Sequence, residues 1–195
     1  MGKPFLFIRL TGCNLRCNYC DTKYAYQEGD FYTTEELLGK ILEYPVKNVE
    51  ITGGEPLLQE DTIELAQQII NRDYRLLIET NGTVNLAKLP REIVKVVDVK
   101  TPGSGEEDTF LLENLKLLHT NDNLKFVISD RKDFDWSVNF CRQHNLFGKI
   151  EILFASVKDR LEYATLCDWI LTEGLDVRFQ PQLHKMIWPE KARGV

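Results

Sequence analysis

The sequence predicts an α/β domain built as an incomplete parallel βα barrel, and three observations lead to this prediction. Short runs rich in β-branched and apolar residues alternate with longer amphipathic stretches along the chain. Repetition of strand, helix and strand builds a parallel sheet with right-handed crossovers. The chain has 195 residues, too few for a complete barrel, which takes about 250. We therefore expect one domain over residues 1–195, with its site at the carboxyl ends of the strands.

The predicted elements follow one another in a regular order. Strands are predicted over residues 5–10, 49–52, 75–79, 94–100, 124–128, 150–154 and 177–180. The run from Thr33 to Glu36 resembles a capping box that opens a helix ending near Glu43. Further helices are predicted near residues 61–71, 110–119, 133–143 and 159–172. Polar clusters follow several of these strands, where the chemistry of a parallel sheet gathers.

Composition and charge exclude several classes of function. The chain is 43% hydrophobic and 28% charged, which fits one globular domain with an ample core. A net charge of -6 weakens any case for binding a nucleic-acid backbone, which needs clustered Lys and Arg. The sequence shows no basic-then-apolar leader and no apolar run of spanning length. We expect a cytoplasmic protein whose partners are small molecules, with no nucleic acid and no membrane among them.

Three cysteines lie within eight residues, at Cys13, Cys17 and Cys20. Their spacing would also fit one face of a helix, but Gly12 and Asn18 favour a loop. Three thiolates can hold three corners of a cubane iron-sulfur cluster and leave one iron open for a reactive ligand. A ferredoxin would need a fourth ligand. The sequence therefore favours a catalytic cluster over a simple electron carrier.

Two other interpretations of the cysteines stay open from the residues alone. A structural zinc site would usually show a fourth ligand at motif spacing, whereas Cys141 and Cys167 sit singly in helix-like stretches. Cysteine can also pack as a small apolar residue in a core. Three of the five cysteines are clustered and the spacing of the five does not suggest a disulfide framework. This favours a metal site in a reducing compartment.

Two polar turns follow predicted strands. The first is the run Thr52-Gly53-Gly54-Glu55-Pro56, whose glycines let backbone approach a ligand closely and whose Glu55 could grip an ammonium group. The second is Glu79-Thr80-Asn81-Gly82-Thr83, which suits a ribose diol or a carboxylate. Either run could equally be a turn and nothing more. Lys100 and Lys125 lie at or near strand ends, where a lysine is often simply solvated.

These residues carry a resemblance to a known family. The cysteine loop ending in Asp21-Thr22, together with the run 52–56, resembles the radical S-adenosylmethionine superfamily. Within it, the chain is similar to the 7-carboxy-7-deazaguanine synthase family. The supporting stretches are residues 7–14, 79–83, 124–127 and the ending Gln180-Pro-Gln-Leu-His184, with Trp188 and the final Arg193-Gly194.

The resemblance implies a cluster, a cofactor and a reaction. Cys13, Cys17 and Cys20 would hold a [4Fe-4S] cluster, whose open iron would chelate S-adenosylmethionine. Reductive cleavage of that cofactor would start ring contraction of 6-carboxy-5,6,7,8-tetrahydropterin with loss of ammonia. An electron donor such as flavodoxin or ferredoxin and a homodimeric assembly are also implied.

The resemblance also assigns residues to the cofactor and the substrate. Cofactor contacts would come from Gly53, Gly54, Glu55, Thr80, Asn81, Lys125 and Ser156. Substrate contacts would come from Arg9, Thr52 and His184, with Arg9 able to hold a carboxylate in a bidentate pair. Thr22 would bind Mg²⁺, an ion that keeps waters and takes its other ligands from substrate. From the sequence alone, Asp21-Thr22 would be a helix cap.

One departure from the family pattern concerns the beginning of the chain. The family carries a Gln-Gly-Glu-Gly loop ahead of the first strand, whereas this sequence starts with Met1-Gly2-Lys3-Pro4. Either the sequence begins late or the pocket is completed by other residues. Two rival functions remain: a glycyl-radical enzyme activase, which would need a groove for a protein partner, and a non-catalytic zinc-binding module.

Overall fold

The computed structural model describes residues 2–189, and seven parallel strands form one open sheet in them. The strands are β1 (Leu6–Leu10), β2 (Asn48–Gly53), β3 (Arg75–Thr80), β4 (Val94–Asp98), β5 (Asn123–Ile128), β6 (Glu151–Ser156) and β7 (Arg178–Phe179). Each strand pairs with the next one along the chain, in the order β1 to β7. The predicted α/β class is confirmed, and the sheet stays open between β1 and β7, as an incomplete barrel requires.

Five α-helices are found among the described residues. They are α1 (Thr34–Leu42), α2 (Thr62–Ile70), α3 (Arg131–Gln143), α4 (Tyr163–Thr172) and α5 (Leu183–Ile187). The predicted capping box is present, because the Thr33 side chain accepts from the Glu36 amide and Glu36 accepts from the Thr33 amide. Short 3-10 helices occupy Lys23–Tyr26, Pro56–Leu58, Leu86–Lys88, Pro102–Ser104 and Leu112–Leu117.

The two faces of the sheet carry different side chains. Successive side chains alternate between the faces, and residues paired in register share a face. One face supplies the hydrophobic core with fully buried residues such as Ile51, Ile78 and Phe126. The other face, called the inner face below, carries a set of polar side chains: Arg9, Glu50, Thr52, Glu79, Asp98 and Lys125. Parallel pairing thus brings charges from distant parts of the chain together.

The predicted helix over residues 110–119 is wrong. The segment forms only the 3-10 helix Leu112–Leu117. Asn114 is fully buried there and donates to the carbonyls of Gly82 and Val84 at 3.0 and 2.9 Å. Its side-chain oxygen accepts from the Leu86 amide at 3.0 Å. These bonds hold the segment against the loop after β3, so local polar bonding competes with an α-helix.

Other boundaries differ from the prediction by a few residues. The strand predicted over 94–100 ends at Asp98, and the helix predicted from 159 begins at Tyr163. Asp159 has a positive φ of 63°, which an α-helix does not accommodate. Helix α5 was not predicted. No helix within residues 2–189 is long and apolar enough to cross a membrane. The run Arg193-Gly194 lies outside the described residues.

Candidate functional site

The cysteine loop follows the carboxyl end of β1, and its two ends lie side by side. The Gly12 amide donates to the Ala25 carbonyl at 2.8 Å and closes this loop. Gly12 has a φ of +96°, a conformation that favours glycine. Cys13, Cys17 and Cys20 are all partly exposed within the loop. The three thiols therefore lie in a closed, folded loop rather than in the hydrophobic core.

This loop packs on the carboxyl ends of four other strands and on the loops that follow them. The Asn81 side-chain amide donates to the Asn14 side chain at 3.1 Å, and the Asn18 amide donates to the Ser104 carbonyl at 2.9 Å. Tyr19 donates through its hydroxyl to the Val127 carbonyl at 3.1 Å. Further contacts come from the run 52–56 after β2, through Gly54 to Leu10 and Glu55 to Gly12. The cysteine loop is thus fixed at the carboxyl ends of β2 to β5.

Gly53 and Gly54 lie directly against the backbone of β1 and the cysteine loop. A Cβ atom at Gly53 would lie 2.3 Å from the Leu10 carbonyl oxygen, and one at Gly54 would lie 2.1 Å from that of Gly12. The Gly54 amide donates to the Leu10 carbonyl at 3.0 Å. The structure therefore gives these glycines a role inside the protein. Their predicted contact with a cofactor stays a prediction.

Glu55 joins two strand ends through a fully buried carboxylate. Its two oxygens accept from Leu57, Thr80 and Asn81 at 3.0, 2.7 and 2.7 Å. Burial raises the pKa of Glu55 above its ordinary value, while these hydrogen bonds lower it. Thr80 is also buried, and Asn81 is bonded to Asn14 and Thr83. These three predicted cofactor residues thus have extensive hydrogen bonds within the protein.

The inner face holds two ion pairs at strand ends. Lys125 on β5 pairs with Glu79 on β3 at 2.6 Å, and Lys100 pairs with Asp98 at 2.8 Å. Glu50 lies beside Glu79, and burial together with the charge of Glu79 raises the pKa of Glu50 to about 8. The pKa of Glu79 is lowered, since Lys125 outweighs the effect of burial. A protonated Glu50 therefore adjoins an ionised Glu79.

Three buried side-chain oxygens near the same end of the sheet have no hydrogen-bond partner within the described chain. They are Asp98 Oδ1 at the end of β4, Ser156 Oγ at the end of β6 and Gln180 Oε1 just after β7. A buried polar atom without a partner costs free energy unless a ligand or water satisfies it. Oxygen acceptors suit the ammonium and hydroxyl groups of S-adenosylmethionine. This observation fits the predicted place of Ser156.

The predicted substrate residues lie on and beside β1 and β2. Arg9 and Thr52 are paired in register, and Arg9 donates to the Gly53 carbonyl at 3.4 Å. His184 lies on α5, and burial, with the positive charges of Lys185 and Arg9, lowers the pKa of His184. Gln182 and Lys185 donate to Asp21 in the loop after β1, so α5 lies near the β1 edge of the sheet. The structure thus brings Arg9 and His184 into one region.

Thr22 lies at the end of the cysteine loop, next to Asp21. It occupies the position before the 3-10 helix Lys23–Tyr26, but its side chain makes no capping hydrogen bond, so the helix-cap interpretation is wrong for this hydroxyl. The Thr22 hydroxyl instead donates to Asp21 Oδ1 at 2.9 Å. Its role in binding Mg²⁺ stays a prediction.

The three thiols match in number the ligands of a cubane iron-sulfur cluster in which one iron stays open. Within residues 2–189, no group of three His, Cys, Asp or Glu side chains is arranged to hold a single metal ion. Cys141 is buried in α3 and Cys167 lies in α4, so neither supplies a fourth thiol. Burial raises the pKa of Cys17 to about 11, against the nearby charge of Lys100.

Several residues of this region escaped the sequence analysis. Tyr19 lies between two cysteines in the motif and is held by Thr101 as well as Val127. The pKa of Tyr26 is raised by burial and by contact with Cys20, which places Tyr26 beside the thiols. Arg16 lies over the Tyr26 ring at 4.4 Å. Tyr19 had a signal in its position between two ligands, whereas Tyr26 and Glu50 had none.

Comparisons with known proteins agree with this geometry. Residues 7–125 match the model of the Radical SAM superfamily. The chain is 40% identical to 7-carboxy-7-deazaguanine synthase of Koribacter versatilis, covering 100% of this chain and 92% of the relative. It is 39% identical to the protein of the same name from Clostridium acetobutylicum, covering 100% and 91%.

A solved structure shares the fold. The crystal structure of QueE from Escherichia coli superposes with a TM-score of 0.74 at 22% identity, covering 93% of this chain and 86% of that one. Together with the full-length relatives, the family match settles the classification. The chain belongs to the radical SAM superfamily and, within it, to the 7-carboxy-7-deazaguanine synthase family.

Proposed function

We propose that this chain is a radical S-adenosylmethionine lyase that converts 6-carboxy-5,6,7,8-tetrahydropterin to 7-carboxy-7-deazaguanine with loss of ammonia. One observation carries the proposal. A loop with three cysteines is fixed over the carboxyl ends of β2 to β5, near buried oxygens of Asp98, Ser156 and Gln180 that have no hydrogen-bond partner within residues 2–189. The names of the full-length relatives support the choice of reaction.

The cluster and cofactor would be held by residues of four strand ends. Cys13, Cys17 and Cys20 would ligate a [4Fe-4S] cluster. Gly53, Gly54, Glu55, Thr80, Asn81, Lys125 and Ser156 would line the place of S-adenosylmethionine, whose reductive cleavage supplies the hydrogen-abstracting group when both are bound. Because Glu55, Thr80 and Asn81 are bonded to one another, their backbone groups and their rigidity would serve the cofactor more than free side-chain atoms.

The substrate would lie between the inner face and α5. Arg9 and His184 come from opposite edges of the sheet, and Arg9 offers a guanidinium that can pair with a carboxylate. Thr52 is paired with Arg9 in register and would contact the ring system. Thr22 would bind Mg²⁺ beside the substrate carboxylate, with water completing the coordination. No further catalytic side chain is assigned.

The inner face also provides the charge that an anionic substrate needs. Three basic side chains, Arg9, Lys100 and Lys125, face two carboxylates, Glu79 and Asp98, which pair with Lys125 and Lys100. Glu50 would neutralise the remaining positive charge if it were ionised, but its pKa of about 8 keeps it protonated at neutral pH. The residual positive charge suits a substrate carboxylate. We further propose a cytoplasmic homodimer with flavodoxin or ferredoxin as reductant.

Product identification tests the function. The purified chain, reconstituted anaerobically with iron and sulfide, should produce 7-carboxy-7-deazaguanine and ammonia from 6-carboxytetrahydropterin, S-adenosylmethionine and a reductant, without a second protein. Cys17→Ala should lose both the broad visible absorbance and the product, while Cys167→Ala, at a partly exposed cysteine of α4, should keep both.

Three outcomes would contradict the proposal. Cleavage of S-adenosylmethionine without any deazaguanine would remove the substrate assignment and leave the radical chemistry. Turnover that requires a protein partner would favour a glycyl-radical enzyme activase. Unchanged cofactor cleavage by Cys17→Ala would remove the cluster assignment altogether.

A further inference from the structure

The sheet has an unclosed seam between its two edge strands. β1 pairs only with β2 and β7 pairs only with β6 among the described residues, so no strand joins β7 to β1. The site opens along this seam, because Arg9 lies on β1 and Gln180 follows β7 directly. Whatever spans the seam controls one wall of the substrate region.

Helix α5 spans this seam with little packing of its own. None of its five residues is buried, and the side chains of Met186 and Ile187 are 58% and 60% exposed. Five residues are also too few for a helix that is stable by itself. The position of α5 must therefore depend on specific contacts with the rest of the chain.

Those contacts converge on Asp21. Gln182 donates to Asp21 Oδ2 at 3.1 Å, and the Lys185 ammonium donates to the same oxygen. Asp21 Oδ1 accepts from the Thr22 hydroxyl at 2.9 Å. One carboxylate thus connects the cysteine loop to the segment after β7.

We propose that Asp21, Gln182 and Lys185 form a latch that holds α5 across the seam and positions His184 and Thr22 for the substrate. This inference rests on the proposed function. Lys185 and Gln182 are positioning residues in it, because they act through Asp21 and α5. The latch also explains the spacing of the ending Gln182-Leu-His-Lys185: the outer two side chains reach Asp21, and His184 lies between them.

The latch would link substrate binding to the order of the cysteine loop. Asp21 directly follows Cys20, and its carboxylate orients the Thr22 hydroxyl. A substrate that contacts both His184 and Thr22 would bind best when the latch is closed. Loss of the latch should therefore weaken substrate binding while leaving the cluster and its cofactor in place.

Variants at Lys185 test the latch without relying on turnover. Lys185→Met should speed amide hydrogen exchange in the peptide covering residues 183–188 about fivefold, the upper range for a partly exposed ion pair. It should also raise KM for 6-carboxytetrahydropterin by about the same factor, while substrate-free cleavage of S-adenosylmethionine stays unchanged. Lys185→Arg should restore both readouts, and Gln182→Leu should give a smaller effect in the same direction.

A matched control separates the latch from a general loss of charge pairing. Arg178→Met breaks the ion pair between Arg178 on β7 and Glu151 on β6, which measures 2.7 Å and involves neither α5 nor Asp21. It should change neither exchange in residues 183–188 nor KM. Equal effects of Lys185→Met and Arg178→Met would overturn the latch. So would a raised KM with unchanged exchange, because Lys185 would then contact the substrate directly.

The exchange readout also separates this inference from the proposed function. If the wild-type protein forms no deazaguanine but Lys185→Met still frees α5, the substrate assignment fails and the structural latch stands. If exchange in residues 183–188 is unaffected by Lys185→Met and by Gln182→Leu, the latch fails even in an active enzyme.

Discussion

At the scale of single residues, Gly54 is a position where two separate constraints can require glycine. Backbone exposed by a glycine can approach a ligand, which was the reason given by the sequence pattern. In the structure, Gly54 also lies against Gly12 and Cys13. A substitution there should therefore disturb the cysteine loop itself and not only a cofactor contact.

Gly54→Ala tests this closer constraint. The new Cβ would lie 2.1 Å from the Gly12 carbonyl oxygen and 2.8 Å from the Cys13 Cβ, and backbone cannot move aside as a flexible side chain can. We expect a loss of about 1–3 kcal/mol in the free energy of unfolding, as for overpacked cores. The iron content of the reconstituted protein should fall as well. Both quantities can be measured on the same preparation, the stability by urea unfolding.

Gly39→Ala is the control for Gly54→Ala. Gly39 lies within α1, and a Cβ there would meet no atom within 4 Å. Alanine should stabilise the helix by about 0.5–1 kcal/mol and leave iron content unchanged. A Gly54→Ala protein with wild-type stability and iron content would contradict the close packing of the two loops.

At the scale of elements, strands were easier to predict from the sequence than the connections between them. All seven predicted strands are present, because buried parallel strands appear as short apolar runs. The crossover from β4 to β5 was mispredicted, since apolar spacing over residues 110–119 resembles a helix. The signal that decides it is Asn114, whose partners lie about thirty positions away in the chain.

Asn114→Ala should show that this side chain determines the connection. Removing it leaves the Leu86 amide and the carbonyls of Gly82 and Val84 without their partner in a buried place. Burying such groups without a hydrogen-bond partner costs about 1–3 kcal/mol. We therefore expect the free energy of unfolding, measured in urea, to fall by about that amount. Asn85→Ala removes only a local bond to Ala87 and should cost less, about 0.5–1 kcal/mol. Equal losses would contradict the assignment.

At the scale of the whole molecule, the candidate site was only partly readable from the sequence. The cysteine loop and the run 52–56 could be found because their ligands and glycines are contiguous. The pairing of Glu79 with Lys125 joins positions 46 apart, and the latch joins Asp21 to Lys185 across 164. Such pairs follow from strand order and register, which a single sequence does not specify. Glu50 was missed for the same reason.

The charge balance of the inner face predicts a dependence of stability on pH that a single variant can remove. The folded protein keeps the Glu50 proton up to about pH 8, whereas the unfolded chain releases it near the ordinary value of 4.5. Between these values the folded state binds more protons, so stability falls as pH rises. The groups facing Glu50 do not cancel this slope, because the pKa of Glu79 is lowered and that of Lys125 is raised, so that both change charge outside this range of pH.

Glu50→Gln should therefore flatten the fall in stability between pH 5 and pH 8, relative to wild type. A difference of one bound proton changes the free energy of unfolding by at most about 1.4 kcal/mol per pH unit. The partial exposure of Glu50 makes the expected slope smaller than this limit. Urea unfolding at several pH values, compared between the two proteins, cancels the titration of the histidines. Glu60→Gln, at an exposed carboxylate, should keep the wild-type slope. A parallel pH profile for wild type and Glu50→Gln would mean that Glu50 is ionised in the folded protein, and the inner face would then lack the positive charge proposed for an anionic substrate.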